Sequence, residues 1–284
     1  MNKFSLILCS VGDFSYIDDL FKSLMQQSYK NFEVILVDQN DDDRLVSLIS
    51  KYQHEFRIIH IKSERGLSLA RNIGLGVVSG DIISFPDDDC KYQPDTLEKV
   101  NEFFIKKADY QGLVIRAENS VKSGRVMHAN DASQDLDLKN ALYLVHSISL
   151  FLSKKLISDV GEFDINLGLG AKTIYQGQED RDYPIRALKK GFKIYFDRDI
   201  TVLHPWDDPN IDQEKNLIDR AFKGASAEMY LLNKHGYSNF YKMTRLIRKL
   251  LAIFYFAVIK MNLYKARASI SGFNGLLRSF NVKL

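Results

Sequence analysis

Between residues 4 and 85 short apolar runs alternate with helical patterns, and that alternation restricts the chain to few architectures. FSLILCS (4–10), FEVILV (32–37), IIHI (58–61) and DIISF (81–85) read as strands, being short, largely apolar runs set between helical patterns. Between them Ile17, Leu20, Phe21, Leu24 and Met25 recur at helical spacing within 13–27, as do Leu45, Leu48, Ile49 and Tyr52 within 43–56. A third helix is expected over 68–78. Strand and helix alternating at this pace build βαβ units, an α/β fold with a mostly parallel central sheet and flanking helices. Such sheets bind ligands beyond the carboxyl ends of their strands. Ser10, Asp38 and the triplet Asp87-Asp88-Asp89 all fall at those ends.

The middle of the chain is less regular. Helices are expected over 96–107 and 154–160, strands over 112–117 and 142–152, and a loop over the polar stretch 119–139. GLGAKTIYQGQEDRDYPIRALKKG (168–191) reads as a Gly-rich loop feeding a helix that starts near Glu179, and two short strands follow at 192–196 and 200–203. The second ends at His204-Pro205-Trp206. GLGA at 168–171 lacks the third glycine of a dinucleotide fingerprint and follows no strand, so it is not read as one.

With 284 residues, 45% hydrophobic and 12% aromatic, the chain has enough apolar matter for a large core. Its two cysteines, Cys9 and Cys90, are too few for a disulfide framework, which points to a reducing cytoplasm. The first apolar run stops at Gly12-Asp13 without a cleavage-site pattern, and no uninterrupted apolar stretch of about 20 residues exists to span a bilayer. The net charge of +3 hides a division: the first 228 residues hold 29 basic and 36 acidic residues, the last 56 ten basic and no acidic ones. Two parts of the molecule therefore face different partners.

Three adjacent carboxylates repel, and each disfavours ionisation of its neighbours. A solvated acidic turn would tolerate this; so would a site for a hard divalent cation. Mg²⁺ or Mn²⁺ takes oxygen ligands and is commonly held by one or two carboxylates together with substrate phosphates. Asp89 is then the expected direct ligand, with a neighbouring carboxylate left for a ribose. His204 is a second candidate ligand, since imidazole also suits Mn²⁺, although a loop-capping histidine before Pro205 explains it equally.

SLMQQSYKNFEVILVDQNDDD, ERGLSLARNIGLGVVSGDIISFPDDDC and GQEDRDYPIRALKKG, in this order and spacing, resemble family 2 glycosyltransferases of the GT-A fold, of the type that builds bacterial surface polysaccharides. The resemblance spans about residues 3–206. It implies transfer of a sugar from a nucleotide donor with inversion at the anomeric carbon, Asp38 reading the base, Asp87 and Asp89 forming a DxD element, and Asp180 acting as base. A common family pattern has a further acidic residue where this chain has Cys90. The organisation expected is a catalytic domain over 1–228, with a nucleotide-binding half to about 110 and an acceptor-binding half over about 111–228, followed by a basic helical tail over 229–284.

The chemistry agrees with that resemblance. Cleavage of a nucleotide sugar leaves a diphosphate whose growing charge a divalent cation can stabilise. Inverting transfer needs a carboxylate to take the acceptor hydroxyl's proton, and a helix N-terminus keeps such a group ionised. Asp180 suits that role, with Glu179 contacting the acceptor; helix capping is the plain alternative for the pair. Asp182 is expected to face solvent or to pair with Arg186. Asp38 could accept from the N3–H of uracil or thymine, which favours a UDP- or dTDP-sugar. Ser10, Arg71 and Asp88 complete the expected donor contacts, Arg71 having a surface position as its alternative and Asn72 reading as structural. Trp206 could stack on an acceptor sugar or anchor a loop.

Over residues 238–267 Leu246, Leu250, Ile253 and Ala257 repeat at helical spacing beside Lys242, Arg245, Arg248 and Lys249. Ten apolar residues at 250–259 are too few to span but enough to enter a headgroup layer. An anionic inner-leaflet surface is the expected partner, with a lipid-linked glycan as acceptor; an ordinary packed helix with a solvated basic face is the alternative. No nucleic-acid motif accompanies the charge. Two other functions compete: a sugar nucleotidyltransferase, which would carry basic residues after the first strand where this chain has SVGDFSY, and a non-catalytic binding subunit, which would not need both the Asp triplet and the Glu-Asp pair.

Overall fold

A computed structural model of the chain describes residues 1–12, 15–119, 132–205 and 214–282. Strands β1 (Phe4–Ser10), β2 (Phe32–Asp38), β3 (Arg57–Lys62) and β4 (Ile82–Ser84) are parallel neighbours in the order β3-β2-β1-β4. Helices α1 (Ser15–Met25), α2 (Val46–Tyr52) and α3 (Leu67–Leu75) connect them. β1 and β2 are buried along nearly their whole length, as parallel strands covered on both faces must be. Ile17, Leu20, Phe21 and Leu24 of α1 pack into that core, where Phe21 meets Tyr52 edge to face at 5.3 Å. Glu33 of β2 is fully buried, accepting from Ser5 Oγ at 2.7 Å, Ser79 N at 2.9 Å and Lys3 Nζ at 2.8 Å. These donors satisfy a carboxylate that would otherwise be costly to desolvate.

The sheet continues through β8 (Leu150–Ser153), antiparallel to both neighbours, then β6 (Gly112–Asn119) and β9 (Ile194–His204), which are parallel to each other. The two-residue strands β5 (Lys91–Tyr92) and β7 (Gln134–Asp135) both pair antiparallel with β9. Helices α4 (Thr96–Lys106), α5 (Ala141–Leu144), α6 (Lys154–Val160) and α7 (Glu179–Lys189) intervene. The α/β reading therefore holds, with corrections. Residues 142–152 are not one strand: Asp137 Oδ1 accepts from Asn140 N at 2.7 Å, a turn that starts α5, and a 3₁₀ turn at Ser147–Ser149 precedes β8. The two strands expected at 192–203 are one, interrupted where Ile115 pairs with Asp197 but Arg116 with Thr201. The loop expected at 119–139 contains β7, and its residues 120–131 lie outside the described ones.

The chain divides into two compact units. The first comprises Met1–Arg65, Leu69–Phe163 and Tyr183–Asp208 and contains the sheet; the second comprises Gly66–Ser68, Asp164–Asp182 and Pro209–Leu284. In the second unit α8 (Glu214–Lys234), α9 (Asn239–Phe254) and α10 (Leu263–Ser279) pack around Ala225, Met229, Leu246 and Leu276. Ser238 caps α9 by accepting from Tyr241 N at 3.2 Å, and Asn262 caps α10 by accepting from Lys265 N at 2.9 Å. Gly275 lets α10 approach α8: a Cβ there would collide with Phe222 O and stand 2.9 Å from Ser226 Oγ. Among the described residues no helix is long and apolar enough to cross a membrane.

Candidate active site

Register assembles the first half of the site. Ser10 pairs with Asp38 at the ends of β1 and β2, and Leu6 pairs with Ser84 across β1 and β4. Four residues further along each of the latter strands stand Ser10 and Asp88, whose side chains meet: Ser10 Oγ donates to Asp88 Oδ2 at 2.8 Å. Burial pushes the Asp88 carboxyl up to about 6, opposed by that hydroxyl and reinforced by Asp89 and Asp87.

The β5–β9 pairing brings in a distant residue. Lys91 pairs with Leu203, which carries the end of β9 back to the acidic turn and sets His204 Nε2 at 3.2 Å from Asp89 Oδ1. One ligand atom each from Asp87, Asp89 and His204 fits within 4.8 Å of the others. Asp89 Oδ1 is buried with no hydrogen-bond donor aligned to it. Burial alone would lower the His204 pKa, but Asp89 beside it, with Asp87 and Asp88, holds it above its ordinary value. Two carboxylates and an imidazole, with a buried carboxylate oxygen to which no donor is aligned among the described residues, fit a divalent cation of the Mn²⁺ or Mg²⁺ kind.

Arg71 is not on the surface. Its side chain is 2% exposed, its guanidinium carbon lies 5.8 Å from the Phe85 ring centroid and 5.5 Å from that of Phe163, and Nη2 stands 3.7 Å from Asp87 Oδ1. Asn72 exchanges hydrogen bonds with the Phe163 backbone at 2.7 and 3.0 Å, the structural role expected of it. Cys90 is buried in the turn, where its N donates to Asp87 O at 3.2 Å.

Asp38 is buried and already occupied. Oδ1 accepts from Asn40 N at 2.9 Å and Asn40 Nδ2 at 2.8 Å; Oδ2 lies 3.1 Å from His60 Nε2 and 2.9 Å from Lys62 Nζ. Burial would raise its pKa, yet Lys62, Asn40 and His60 lower it. A direct contact to a base needs one of these donors to leave; Lys62, 43% exposed, is the most exposed of them and is also held by the Asn40 and Asp42 carbonyls. Asn40, His60 and Lys62 were invisible as a set in the sequence, where only register relates β2 to β3.

Glu179 and Asp180 open α7 in the second unit, preceded by Gly177 at φ 150° and Gln178 at φ 68°. Glu179 is buried and Asp180 half-buried. Gly168, at φ 99°, lies against Glu179: a Cβ there would stand 3.4 Å from Glu179 Cδ and 3.0 Å from Ser68 Oγ. Asp182 does not face solvent. It is 1% exposed and bound at Oδ1 by His235 Nε2 and Lys234 Nζ, both at 2.9 Å. Lys234 also reaches Asp164 Oδ2 at 2.6 Å, to which Tyr230 OH donates at 3.0 Å. The end of α8 thereby fixes the first turn of α7, through residues some 50 positions away that carry no motif. Trp206 lies outside the described residues.

A mostly parallel sheet with an acidic cluster at its carboxyl edge is the GT-A arrangement, and comparison with known proteins agrees. The chain matches glycosyl transferase family 2 over residues 5–157, more than half its length, and belongs to that family. It is 24% identical over 198 residues to TuaG of Bacillus subtilis, a glycosyltransferase named for teichuronic acid biosynthesis, covering 67% of this chain and 74% of the relative. To the amylovoran biosynthesis glycosyltransferase AmsB of Erwinia amylovora it is 26% identical over 208 residues, covering 68% and 66%. S. aureus TarS 1–349 in complex with UDP-GlcNAc is similar with a TM-score of 0.58 at 17% identity, covering 98% of this chain and 90% of that one; this chain spans 55% of the longer TarS chain. The mannosyltransferase PcManGT from Pyrobaculum calidifontis, in complex with GDP-Man and Mn²⁺, gives a TM-score of 0.61 at 16% identity, covering 95% and 87%. At these identities the structural likeness speaks for the fold alone.

Proposed function

We propose that the chain transfers a sugar from a nucleoside diphosphate sugar, first a UDP- or dTDP-sugar, to a glycan acceptor of bacterial surface-polysaccharide synthesis. The observation that carries this is the juxtaposition of Asp87, Asp89 and His204 at the carboxyl edge of the sheet in a family 2 chain. Asp89 and His204 would hold Mn²⁺ or Mg²⁺ with Asp87, and the bound cation would neutralise charge on the leaving diphosphate. Arg71 holds Asp87 in place. Asp88, held by Ser10, is the carboxylate left for the ribose, and Asp38 orders Asn40 and Lys62 at the base-binding end.

The acceptor hydroxyl oxygen forms its bond to the anomeric carbon as the bond from that carbon to the β-phosphate oxygen breaks, and the electron pair leaves with the diphosphate. Asp180 takes the hydroxyl proton, Glu179 contacts the acceptor, and attack opposite the leaving group inverts the anomeric centre. Trp206 remains a proposed acceptor contact. The names of TuaG and AmsB, both attached to polymer biosynthesis, support a growing glycan as acceptor, and we take it to be lipid-linked at the cytoplasmic face of the inner membrane.

The test is thermal stabilisation by UDP-, dTDP- and GDP-sugars with and without Mn²⁺, followed by assay of the released nucleotide. Metal-dependent stabilisation with release of nucleoside diphosphate is expected. Pyrophosphate exchange would reassign the chain to nucleotidyl transfer, and stabilisation by GDP-sugars alone would remove the pyrimidine assignment.

A further inference from the structure

Helix α9 is seated the wrong way round for a helix that ends in water. A surface helix normally buries its apolar stripe and turns its charges outward. Here Phe240, Met243, Ile247, Leu251 and Phe254 recur at steps of three and four residues, which places them on one face. All five are exposed, Phe240 by 81%, Leu251 by 64% and Phe254 by 59%. The inner face carries Leu246 and two cations: Arg245 is paired with Glu228 of α8, and Lys249 Nζ would stand 3.2 Å from a Cβ on Gly272 of α10. Of the row that repeats at helical spacing in the sequence (Leu246, Leu250, Ile253 and Ala257), Leu250 is exposed and Leu246 belongs to the core.

The apolar face does not stop with α9. Val258 and Ile259 of the π-helical turn Tyr255–Ile259 are exposed, and so are Met261, by 82%, and Leu263 at the start of α10. Of the 25 large hydrophobic side chains exposed among the described residues, eleven fall between Phe240 and Leu263. Concentration on that scale marks a surface that something covers.

We infer that this stripe is a membrane-docking face, lying flat in the headgroup–acyl boundary of an anionic bilayer with α9 parallel to the surface. Charge selects the occupant. The last 56 residues hold ten basic and no acidic residues, so a second copy would bring like charge against like, whereas anionic lipid is complementary. Arg248, Lys260, Lys265 and Arg267 are exposed beside the stripe, where such side chains reach headgroups while apolar neighbours enter the acyl region. The stripe itself consists of apolar side chains, which suits an acyl layer better than the polar rim of a protein interface. No described helix can span the bilayer, which leaves the interface plane. The inference deepens the lipid-linked acceptor reading but stands on the geometry of α9.

The test uses the full chain without donor or metal, sedimented with vesicles of phosphatidylcholine alone or with about 30% phosphatidylglycerol. Wild type is expected to bind the anionic vesicles. Leu251→Asp with Phe254→Asp is expected to lose at least tenfold in binding even at low salt, while Ile105→Asp, at an exposed position of α4 in the sheet unit, keeps it. Both positions of the double variant are exposed, so an unchanged melting temperature certifies its fold. Wild-type-like vesicle binding by the double variant would overturn the proposal. So would a wild-type dimer in sedimentation velocity that the double variant dissociates, because a second copy would then be the cover. Vesicle binding is read without nucleotide, so failure of the donor assignment leaves it standing.

Discussion

The sheet unit and the helical unit differ in what they leave outside. In the first, Glu33 is given donors by Lys3 and Ser5, Asp38 by Lys62 and Asn40, and Asp88 by Ser10. In the second, Asp182 is likewise held by Lys234 and His235, but α9 turns Arg245 toward Glu228 and leaves Leu251 and Phe254 outside. Buried acids at the ends of strands indicate a ligand that carries its own positive charge or hydrogen-bond donors. Exposed apolar side chains beside the exposed cations Arg248, Lys260 and Lys265 match the medium we propose for α9, greasy within and negative at its edge.

The largest effect that would break this contrast lies at the first turn of α7. Asp180→Asn should keep donor binding, read by thermal shift, and lower transfer by about 10²–10⁴-fold; transfer at the wild-type rate would leave the acidic chemistry without its base. Next comes packing in the helical unit. Leu276→Ala, at a fully buried position, should cost about 2–5 kcal/mol in urea unfolding. Leu251→Ala, on the outward stripe, should stay within about 0.5 kcal/mol. Equal losses would mean that the stripe is core after all.

A smaller effect concerns Glu33. Burial would raise its pKa, but Lys3, Ser5 and Ser79 bring it from 4.5 down to about 2. The folded state therefore favours the ionised form. That stability is fully present above about pH 4.5 and drains away as pH falls toward 2. Glu33→Gln should lose about 1–3 kcal/mol at neutral pH and match wild type near pH 2; a gap that persists in acid would assign the loss to packing. The smallest is titration of the cluster. His204 must shed its proton to ligate, and its pKa is raised, so Mn²⁺ affinity measured by calorimetry should fall about tenfold per pH unit below that pKa. A flat profile would take His204 out of the ligand set.

Much of this was legible in the sequence for a physical reason. β1 and β2 are covered on both faces, so they read as unbroken apolar runs, and their ends mark the ligand edge before any coordinates exist. Asp87, Asp88 and Asp89 stand out because local repulsion demands an explanation. What was not legible depends on pairing across the chain. β5 and β7 are two residues long and have no pattern of their own. The interruption in β9 splits its apolar run into two apparent strands. His235 and Lys234 gain meaning only where they reach Asp182. The face that α9 buries is chosen by α8 and α10, so periodicity announced the helix without saying which face turns inward.

The pairing of Lys91 with Leu203 has a consequence for biosynthesis. The acidic turn is translated more than a hundred residues before the imidazole that faces it. A ribosome-bound chain that has emerged only as far as α7 carries its aspartates without their nitrogen donor. Capture of a cation by all three groups, as we propose, would thus wait for the last strand of the sheet, which would make loading a late event in the life of the nascent polypeptide.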